Sequence, residues 1–150
     1  MKTDTPTNLH NMFTDKVIII TGSTQGIGLV TAEMLIHRGA RLVINSRSHE
    51  KVEKALFYLR KITPNVIGLA GDVSNYEFCL DLRNYVMEEF GRIDILINNA
   101  AFVGTSDLVG WAVPFAEQSM ETWRRAMEVN LTAVFHLCQG MAPLLKTSRY

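Results

Sequence analysis

The sequence predicts an α/β fold with a doubly wound parallel sheet, and three observations support this prediction. Short aliphatic and β-branched runs alternate with longer segments of helical periodicity, so that strand and helix alternate three times before a fourth strand. The predicted strands are apolar at most positions, as is typical of strands buried on both faces of a sheet. Glycine or proline follows each of the first two helical segments. Parallel strands joined by helices require right-handed crossovers, which place helices on both faces of the sheet.

Four segments of the chain are predicted to be strands. The first, residues 16–21, is an almost purely aliphatic run that ends at Gly22. The other three are residues 41–45, 65–70 and 93–98. Because the fourth strand is apolar and no later segment of the 150 residues is predicted to cover it, we expect an exposed apolar edge and a sheet that is incomplete at its C-terminal side.

The first two helices are predicted from apolar spacing and from their caps. Residues 26–38 form the first helix, and Gly39 is predicted to cap its C-terminal end. Ser48 is predicted to cap the second helix, which must end before Pro64. The residues assigned to the buried face of the first helix are Ile27, Val30, Leu35 and Ile36.

Two further helices are predicted on either side of the fourth strand. The third helix spans residues 75–90, and the last, a single long helix, spans about residues 119–145. The segment between the fourth strand and the last helix is predicted to be irregular, and its residues 102–115 are interpreted either as a substrate-pocket loop or as a surface loop. The residues assigned to the core-facing stripe of the last helix are Trp123, Met127, Leu131, Val134, Phe135 and Cys138.

Composition excludes several classes of protein. Lys+Arg and Asp+Glu both number 15, so the net charge is zero and no basic run indicates a nucleic acid or a membrane surface as a partner. No apolar run approaches the roughly 20 residues of a membrane span, and the polar first fifteen residues lack the apolar core of a signal peptide. Cys79 and Cys138 are predicted to be reduced core residues, and the four histidines show no metal-ligand spacing. We therefore expect a cytoplasmic protein that binds no metal, with a flexible tail at residues 1–12 and one domain at residues 13–150.

The turn after the first strand predicts a phosphate-binding site. It reads TGSTQGIG over residues 21–28. The pyrophosphate of a dinucleotide must approach backbone N–H groups at a helix N-terminus, where side chains would block it. An ordinary glycine-containing turn is the alternative, but the apolar strand before the turn and the amphipathic helix after it favour the phosphate site. The candidate cofactor-binding residues of the turn are Gly22, Ser23, Thr24, Gln25, Gly26, Ile27 and Gly28.

The spacing T-G-x-x-x-G-x-G resembles that of the short-chain dehydrogenase/reductase family, which has a Rossmann-type fold. Three further pieces occur in the family's order: Asp72 with Val73 after the third strand, Asn98-Asn99-Ala100 after the fourth, and Asn130 in the last helix. The resemblance covers residues 13 to 145 approximately. It implies that Asp72 and Val73 contact the adenine and that Asn130 belongs to the catalytic group. It also implies that the cofactor ribose is lined by Asn99, Ala100 and Ala101, although the family usually has glycine where this chain has Ala101.

The end of the second strand predicts NADP(H) rather than NAD(H). A carboxylate there would accept hydrogen bonds from the ribose 2′-hydroxyl and would repel a 2′-phosphate. This chain instead has Asn45-Ser46-Arg47-Ser48, with no acidic residue in the run. Arg47 can pair with a 2′-phosphate, and the hydroxyls of Ser46 and Ser48 can donate to it. A solvated surface arginine is the alternative, but the nearby N-terminus of the second helix disfavours a cation, so Arg47 needs another partner.

The family's acid/base group is incomplete in these 150 residues. The resemblance implies a Tyr-x-x-x-Lys pair on one helix face and a serine on the preceding strand, because a positioned acid must protonate the carbonyl oxygen. Tyr58, Tyr76 and Tyr85 are followed four residues later by isoleucine, leucine and glutamate, and Tyr150 is the last residue. Only Asn130 matches the family's catalytic group, and its alternative role is that of a polar residue that kinks a helix.

The preferred interpretation is therefore the N-terminal, cofactor-binding part of an NADP(H)-dependent oxidoreductase that interconverts ketones and secondary alcohols. We expect it to be inactive alone, to act on a small-molecule carbonyl or alcohol when intact, and to form a homo-oligomer. Two alternatives remain open: a non-catalytic dinucleotide-binding module, and one half of a split enzyme.

Overall fold

A parallel sheet lies at the centre of the chain, between two layers of helices. The computed structural model describes residues 11–103 and 109–145. Its strands are β1 (Val17–Ile20), β2 (Arg41–Ser46), β3 (Val66–Ala70) and β4 (Ile95–Ile97). Its helices are α1 (Gly26–Ile36), α2 (His49–Leu59), α3 (Tyr76–Phe90), α4 (Met120–Met127) and α5 (Ala133–Leu145), with a π-helical segment at Glu128–Thr132 between the last two and a short 3₁₀ turn at Phe115–Glu117.

The sheet has the strand order β3-β2-β1-β4, and every pairing in it is parallel. β1 is the central strand, where Ile18 lies opposite Leu42 of β2 on one side and opposite Ile95 of β4 on the other. All four residues of β1 are fully buried, which explains its purely aliphatic sequence. Among the described residues β4 forms the edge of the sheet. The predicted fold class, including the incomplete sheet, is confirmed.

Separate apolar cores on the two faces of the sheet show that it is doubly wound. On one face, Ile18 and Ile20 of β1 pack with Ala32 of α1 and Leu56 of α2. On the other face, Val17 and Ile19 pack with residues of α3 and α5, including Leu82 and Leu137. Alternate residues of the same strand therefore point to different helical layers, as the two-residue period of a strand requires.

The buried face assigned to α1 is wrong at two positions. Ile27 and Val30 are 81% and 57% exposed, whereas the helix buries Gly28, Ala32 and Ile36. The three buried residues are four positions apart and so share one helix face, and the close approach of that face at Gly28, where a Cβ atom would lie 2.6 Å from the Asn99 Nδ2 atom, sets which side of α1 meets the sheet. Its C-cap is His37 rather than Gly39, although Gly39 (φ +88°) does turn the chain away from the helix and donates its N–H to the Ile36 carbonyl.

The long last helix is interrupted, and its predicted core stripe is wrong in part. The π-helical segment separates α4 from α5, and Trp123, Leu131 and Phe135 are 46%, 65% and 60% exposed. Cys138 is exposed as well, whereas Cys79 is buried as predicted. The extra residue per π turn rotates the helix face. Different residues therefore face the core, namely Ala126, Val129, Ala133, Leu137 and Met141.

Several predicted features fall outside the described residues. These are residues 1–10 of the predicted tail, residues 104–108 of the predicted pocket loop, and residues 146–150. Within the part that is described, no helix is both long and apolar enough to cross a bilayer. In the same part, no group of three or more histidine, cysteine or acidic side chains is placed to hold a metal ion.

Candidate cofactor-binding site

A cavity of about 610 Å³ lies at the carboxyl ends of the four strands. Ligands bind at this edge of a doubly wound parallel sheet, because loops from neighbouring strands diverge there. All but one of the candidate cofactor-binding residues line the cavity, from the glycine turn, the end of β2, and the loops after β3 and β4. The structure therefore brings together four segments that are separated by some twenty to thirty residues each in the chain.

The glycine turn has the shape of a phosphate cradle. Gly22 adopts φ +63°, and a Cβ atom there would lie 2.8 Å from the Ala100 Cα atom. A Cβ atom on Gly28 would lie 2.6 Å from the Asn99 Nδ2 atom and 2.7 Å from the Gly22 carbonyl oxygen. Both positions therefore require glycine for a physical reason that the sequence spacing alone only suggested.

The N-terminus of α1 opens onto this cradle. Its N-cap residue, Gln25, makes no side-chain hydrogen bond to the first helical turn. By contrast, Ser48 and Asn75 cap α2 and α3 with their side-chain oxygens. The first N–H groups of a helix are without intrahelical acceptors and carry partial positive charge, so an uncapped turn suits an anion. A pyrophosphate fits the residues that are present.

Hydrogen bonds between the first and fourth loops hold the turn in place. The Thr21 Oγ1 atom accepts from the backbone N–H groups of Asn99 (3.1 Å) and Ala100 (3.0 Å). The Asn99 side chain donates to the carbonyl oxygens of Thr21 (3.0 Å) and Gly22 (2.9 Å). Asn99 thus uses both of its amide hydrogens to hold the glycine turn, while the same residue lines the cavity.

The remaining candidate of the turn, Ser23, is fully buried and does not line the cavity. Its hydroxyl donates to the Ile20 carbonyl (2.6 Å) and accepts from the Asn45 N–H (3.1 Å). The Asn45 side chain in turn donates to the carbonyl oxygens of Leu69 and Gly71, both at 3.1 Å. Ser23 and Asn45 therefore join the ends of β1, β2 and β3. Sequence reasoning did not assign this role to Asn45.

Two cations face the cavity from the end of β2 and the start of α2. Arg47 lines the cavity between Ser46 and Ser48, and no described side chain pairs with its guanidinium. Lys51 also lines the cavity, and its Nζ atom donates to the Gln25 Oε1 atom at 3.3 Å. The nearby Glu50 carboxylate instead pairs with Lys54 at 2.6 Å, away from the cavity. Sequence reasoning missed Lys51, although a basic residue in the first turn of the helix after the second strand was a usable signal.

The Asp72 carboxylate lies at the cavity's other end, held by hydrogen bonds. Its Oδ1 atom accepts from the backbone N–H (3.0 Å) and the hydroxyl (2.8 Å) of Ser74, and its Oδ2 atom forms an ion pair with Arg125 of α4. Partial burial opposes ionisation of Asp72, but the hydrogen bonds from Ser74 and the charge of Arg125 outweigh it, and the pKa is lowered. The group is therefore a carboxylate, and an acceptor, at neutral pH.

Asn130 lies in the π-helical segment and does not itself line the cavity. Its Oδ1 atom accepts from the Phe102 N–H (2.6 Å), and its Nδ2 atom donates to the Phe102 carbonyl (3.0 Å). Phe102 does line the cavity, just after the Asn99–Ala101 segment. The Asn130 side chain therefore supports the loop after β4. A π-helical turn inside an α-helix is frequent at functional sites.

Comparisons with known proteins agree with this geometry. The family model for short chain dehydrogenases matches residues 16–150. The chain is 34% identical over 139 residues to Dehydrogenase/reductase SDR family member 4 from Caenorhabditis elegans, covering 92% of this chain and 51% of that protein. The chain thus spans about half the length of the curated relatives it matches.

Solved structures are similar over the same region. L-sorbose reductase from Gluconobacter frateurii, complexed with NADPH and L-sorbose, superposes with a TM-score of 0.81 at 30% identity, covering 91% of this chain and 50% of that one. A short chain dehydrogenase/reductase from Burkholderia phymatum in complex with NAD gives a TM-score of 0.79 at 31% identity, covering 89% of this chain and 45% of that one. Structures that hold NADPH and structures that hold NAD therefore share this fold. The strand order, the glycine turn and these matches together show that the chain belongs to the short-chain dehydrogenase/reductase family of oxidoreductases.

Proposed function

We propose that this chain is the NADP(H)-binding part of an oxidoreductase that interconverts a ketone and a secondary alcohol. The observation that carries the choice of NADP(H) is the pair of cations, Arg47 and Lys51, that face the cavity beside two serine hydroxyls. A guanidinium and an ammonium neutralise a phosphate dianion, whereas a ribose 2′-hydroxyl is neutral and does not require a cation beside it. L-sorbose reductase, a structural neighbour, is complexed with NADPH.

The cavity lining offers a place for the adenine, the 2′-phosphate, the pyrophosphate and the ribose on the nicotinamide side. The pyrophosphate would lie at the uncapped N-terminus of α1, and the 2′-phosphate between Arg47 and Ser48. The adenine would lie against Asp72 and Val73, at the end of β3. Asn99, Ala100 and Ala101 would line the ribose on the nicotinamide side.

Bound NADPH would supply a hydride to a substrate carbonyl. The residues of this chain would bind and orient the dinucleotide. Asn130 would hold the backbone of Phe102, and so the loop after β4 that lines the nicotinamide side of the cavity. The exposed side chains of Trp123, Leu131 and Phe135 support a proposed contact with a second copy of the protein, because apolar side chains of this size gain from burial. We propose that the protein acts in the cytoplasm and that its substrate is a small molecule.

An Arg47→Asp substitution tests the choice of cofactor. We expect the ratio of NADPH affinity to NADH affinity to fall by roughly tenfold to a hundredfold, because a charge-assisted hydrogen bond of about 1.5–3 kcal/mol is lost and a repulsive charge is introduced. The measurement is calorimetric titration of the protein that carries these 150 residues with each dinucleotide.

Arg60→Asp is the matched control for this experiment. Arg60 is exposed at the opposite end of α2, so the substitution makes the same change in net charge away from the cavity. We expect it to leave the ratio unchanged. An Arg47→Asp protein with the wild-type ratio, or a wild-type protein that binds NADH as tightly as NADPH, would contradict the proposal.

We also propose that residues 1–150 alone do not reduce carbonyl compounds. They contain no Tyr-x-x-x-Lys sequence, so the acid that protonates the carbonyl oxygen in this family has no counterpart among them. The measurement is NADPH consumption in the presence of a panel of ketones, with NADPH binding followed in the same sample as evidence of folding. Turnover by a chain of this length would overturn this proposal and would mean that another group protonates the carbonyl oxygen.

A further inference from the structure

The contacts of Arg125 single out a residue that no motif of the chain contains. Arg125 lies on α4, outside the cavity, yet its side chain reaches the loop after β3. One guanidinium nitrogen pairs with the Asp72 Oδ2 atom, and another donates to the Ser74 hydroxyl at 2.5 Å. Both charged side chains are about two-thirds buried or more, with 26% of the Arg125 side chain and 32% of that of Asp72 exposed.

The hydrogen bonds of Asp72 leave a defined acceptor position. A carboxylate has about four lone-pair positions, two on each oxygen. The Oδ1 atom accepts two hydrogen bonds from Ser74, and Oδ2 accepts from Arg125. Within the described residues, a single acceptor position therefore remains, and it is on Oδ2. One N–H group of an exocyclic amine is the donor that such a position accommodates.

We infer that Arg125 is a positioning residue for adenine recognition: with Ser74, its guanidinium holds the Asp72 carboxylate in the orientation that accepts a hydrogen bond from the 6-amino group of the base. This inference rests on the proposed function, since it takes the adenine to lie against Asp72. The planar guanidinium can bind Asp72 and Ser74 at the same time, so the carboxylate cannot rotate freely. Without it, Oδ2 would have two open positions, and only the two hydrogen bonds from Ser74 to Oδ1 would orient the carboxylate.

The same helix also supports the other end of the cavity. The residues after α4 form the π-helical segment, from which Asn130 holds Phe102. One continuous piece of chain thus contacts the cavity wall at the adenine end through Asp72 and at the far end through Phe102. A partly exposed ion pair contributes little stability by itself, so a purely structural role for Arg125 predicts small effects that do not depend on the base.

The test compares two ligands that differ only at the base. NADPH carries the 6-amino group, whereas its deaminated analogue, nicotinamide hypoxanthine dinucleotide phosphate, carries a carbonyl oxygen there. We expect the wild-type protein that carries these 150 residues to bind NADPH about tenfold more tightly than the analogue, as one hydrogen bond to a charged acceptor implies. We expect Arg125→Gln to lower this ratio at least about threefold, and Arg125→Lys to restore part of it.

The ratio is measured within each variant, so a general loss of stability or affinity cancels. Arg124→Gln, a neighbouring exposed arginine on α4, is the matched control and should keep the wild-type ratio. Asp72→Asn tests the adenine site separately from the role of Arg125, because the asparagine amide can donate to the analogue's carbonyl oxygen and should favour the analogue. If Asp72→Asn lowers the ratio and Arg125→Gln does not, the inference about Arg125 is overturned and the proposed adenine site stands. If neither substitution changes the ratio, or the wild type binds neither ligand, the adenine site is wrong and the inference fails with it.

Discussion

Replacing Gly28 by alanine should weaken NADPH binding by roughly 30- to 150-fold, equivalent to about 2–3 kcal/mol. The added Cβ atom would lie 2.6–2.8 Å from the Asn99 side chain, the Gly22 carbonyl and the Ser23 Cα atom. Two of these three atoms belong to the backbone of the phosphate turn, so relief requires that the turn itself move. The N–H groups at the start of α1 would then no longer converge on one pyrophosphate position. Titration with NADPH measures the loss.

Gly140→Ala is the control for this substitution. Gly140 also lies within a helix, α5, but among the described residues nothing beyond the adjacent backbone of that helix lies within 4 Å of the Cβ position there. Alanine is favoured over glycine in a helix by about 1 kcal/mol, so this variant should be at least as stable as the wild type and should bind NADPH normally. A Gly28→Ala protein that retained wild-type affinity would show that the turn is not the phosphate site.

Replacing Asp94 by alanine should lower the free energy of unfolding by about 2–4 kcal/mol. The carboxylate is 1% exposed, and its Oδ2 atom accepts from the fully buried Val17 N–H at 2.9 Å. Its Oδ1 atom pairs with Arg92 at 2.5 Å and lies 3.7 Å from the Lys16 Nζ atom. Removing it takes away the acceptor of the buried Val17 N–H and a carboxylate that pairs with both Arg92 and Lys16. Because Asp94 joins the start of β1 to the start of β4, the edge strand should be affected first.

Denaturant unfolding of Asp94→Ala, Asp94→Asn and Asp81→Ala separates the contribution of the hydrogen bond from that of the charge. Asp94→Asn keeps an acceptor for the Val17 N–H but loses the charge, so an intermediate loss of stability is expected. Asp81→Ala removes an exposed carboxylate from α3 and should change stability by no more than about 0.5 kcal/mol. Equal stabilities for the Asp94→Ala and Asp81→Ala proteins would rule out an anchoring role for Asp94.

Much of the fold was predictable because its signals are local. The aliphatic run of β1 and the spacing of the glycines each reflect one segment's own backbone and burial, so they could be read without knowledge of the neighbours. The positive φ of Gly22 follows from the same local requirement. Predictions failed where helix packing decided the outcome. In α1, Ala32 is buried and Ile27 exposed, because the close packing of the helix at Gly28, rather than the hydrophobicity of its residues, sets which face is turned inward.

The residues of the candidate site also divide into those that local sequence predicted and those that depend on packing. Arg47 and Asp72 were predicted because each stands within two residues of the end of a strand, and the carboxyl ends of parallel strands meet at one edge. Lys51 and Arg125 were missed because they lie on helices, where the direction of a side chain depends on how the helix is placed. Asn45 was missed because its partners, Leu69 and Gly71, are more than twenty residues away.

The sequence by itself determined the alternation of strands and helices, the glycine turn and the family, since hydrophobic period and backbone conformation are properties of contiguous residues. Only the tertiary structure decided which polar groups share the cavity and which of them hold one another. Asp72 shows the difference: its position after β3 and its hydrogen bonds from Ser74 are local, whereas the partner of its second oxygen, Arg125, is 53 residues away. Orientation requires contacts between segments, and those contacts exist only when the helices have packed on the sheet.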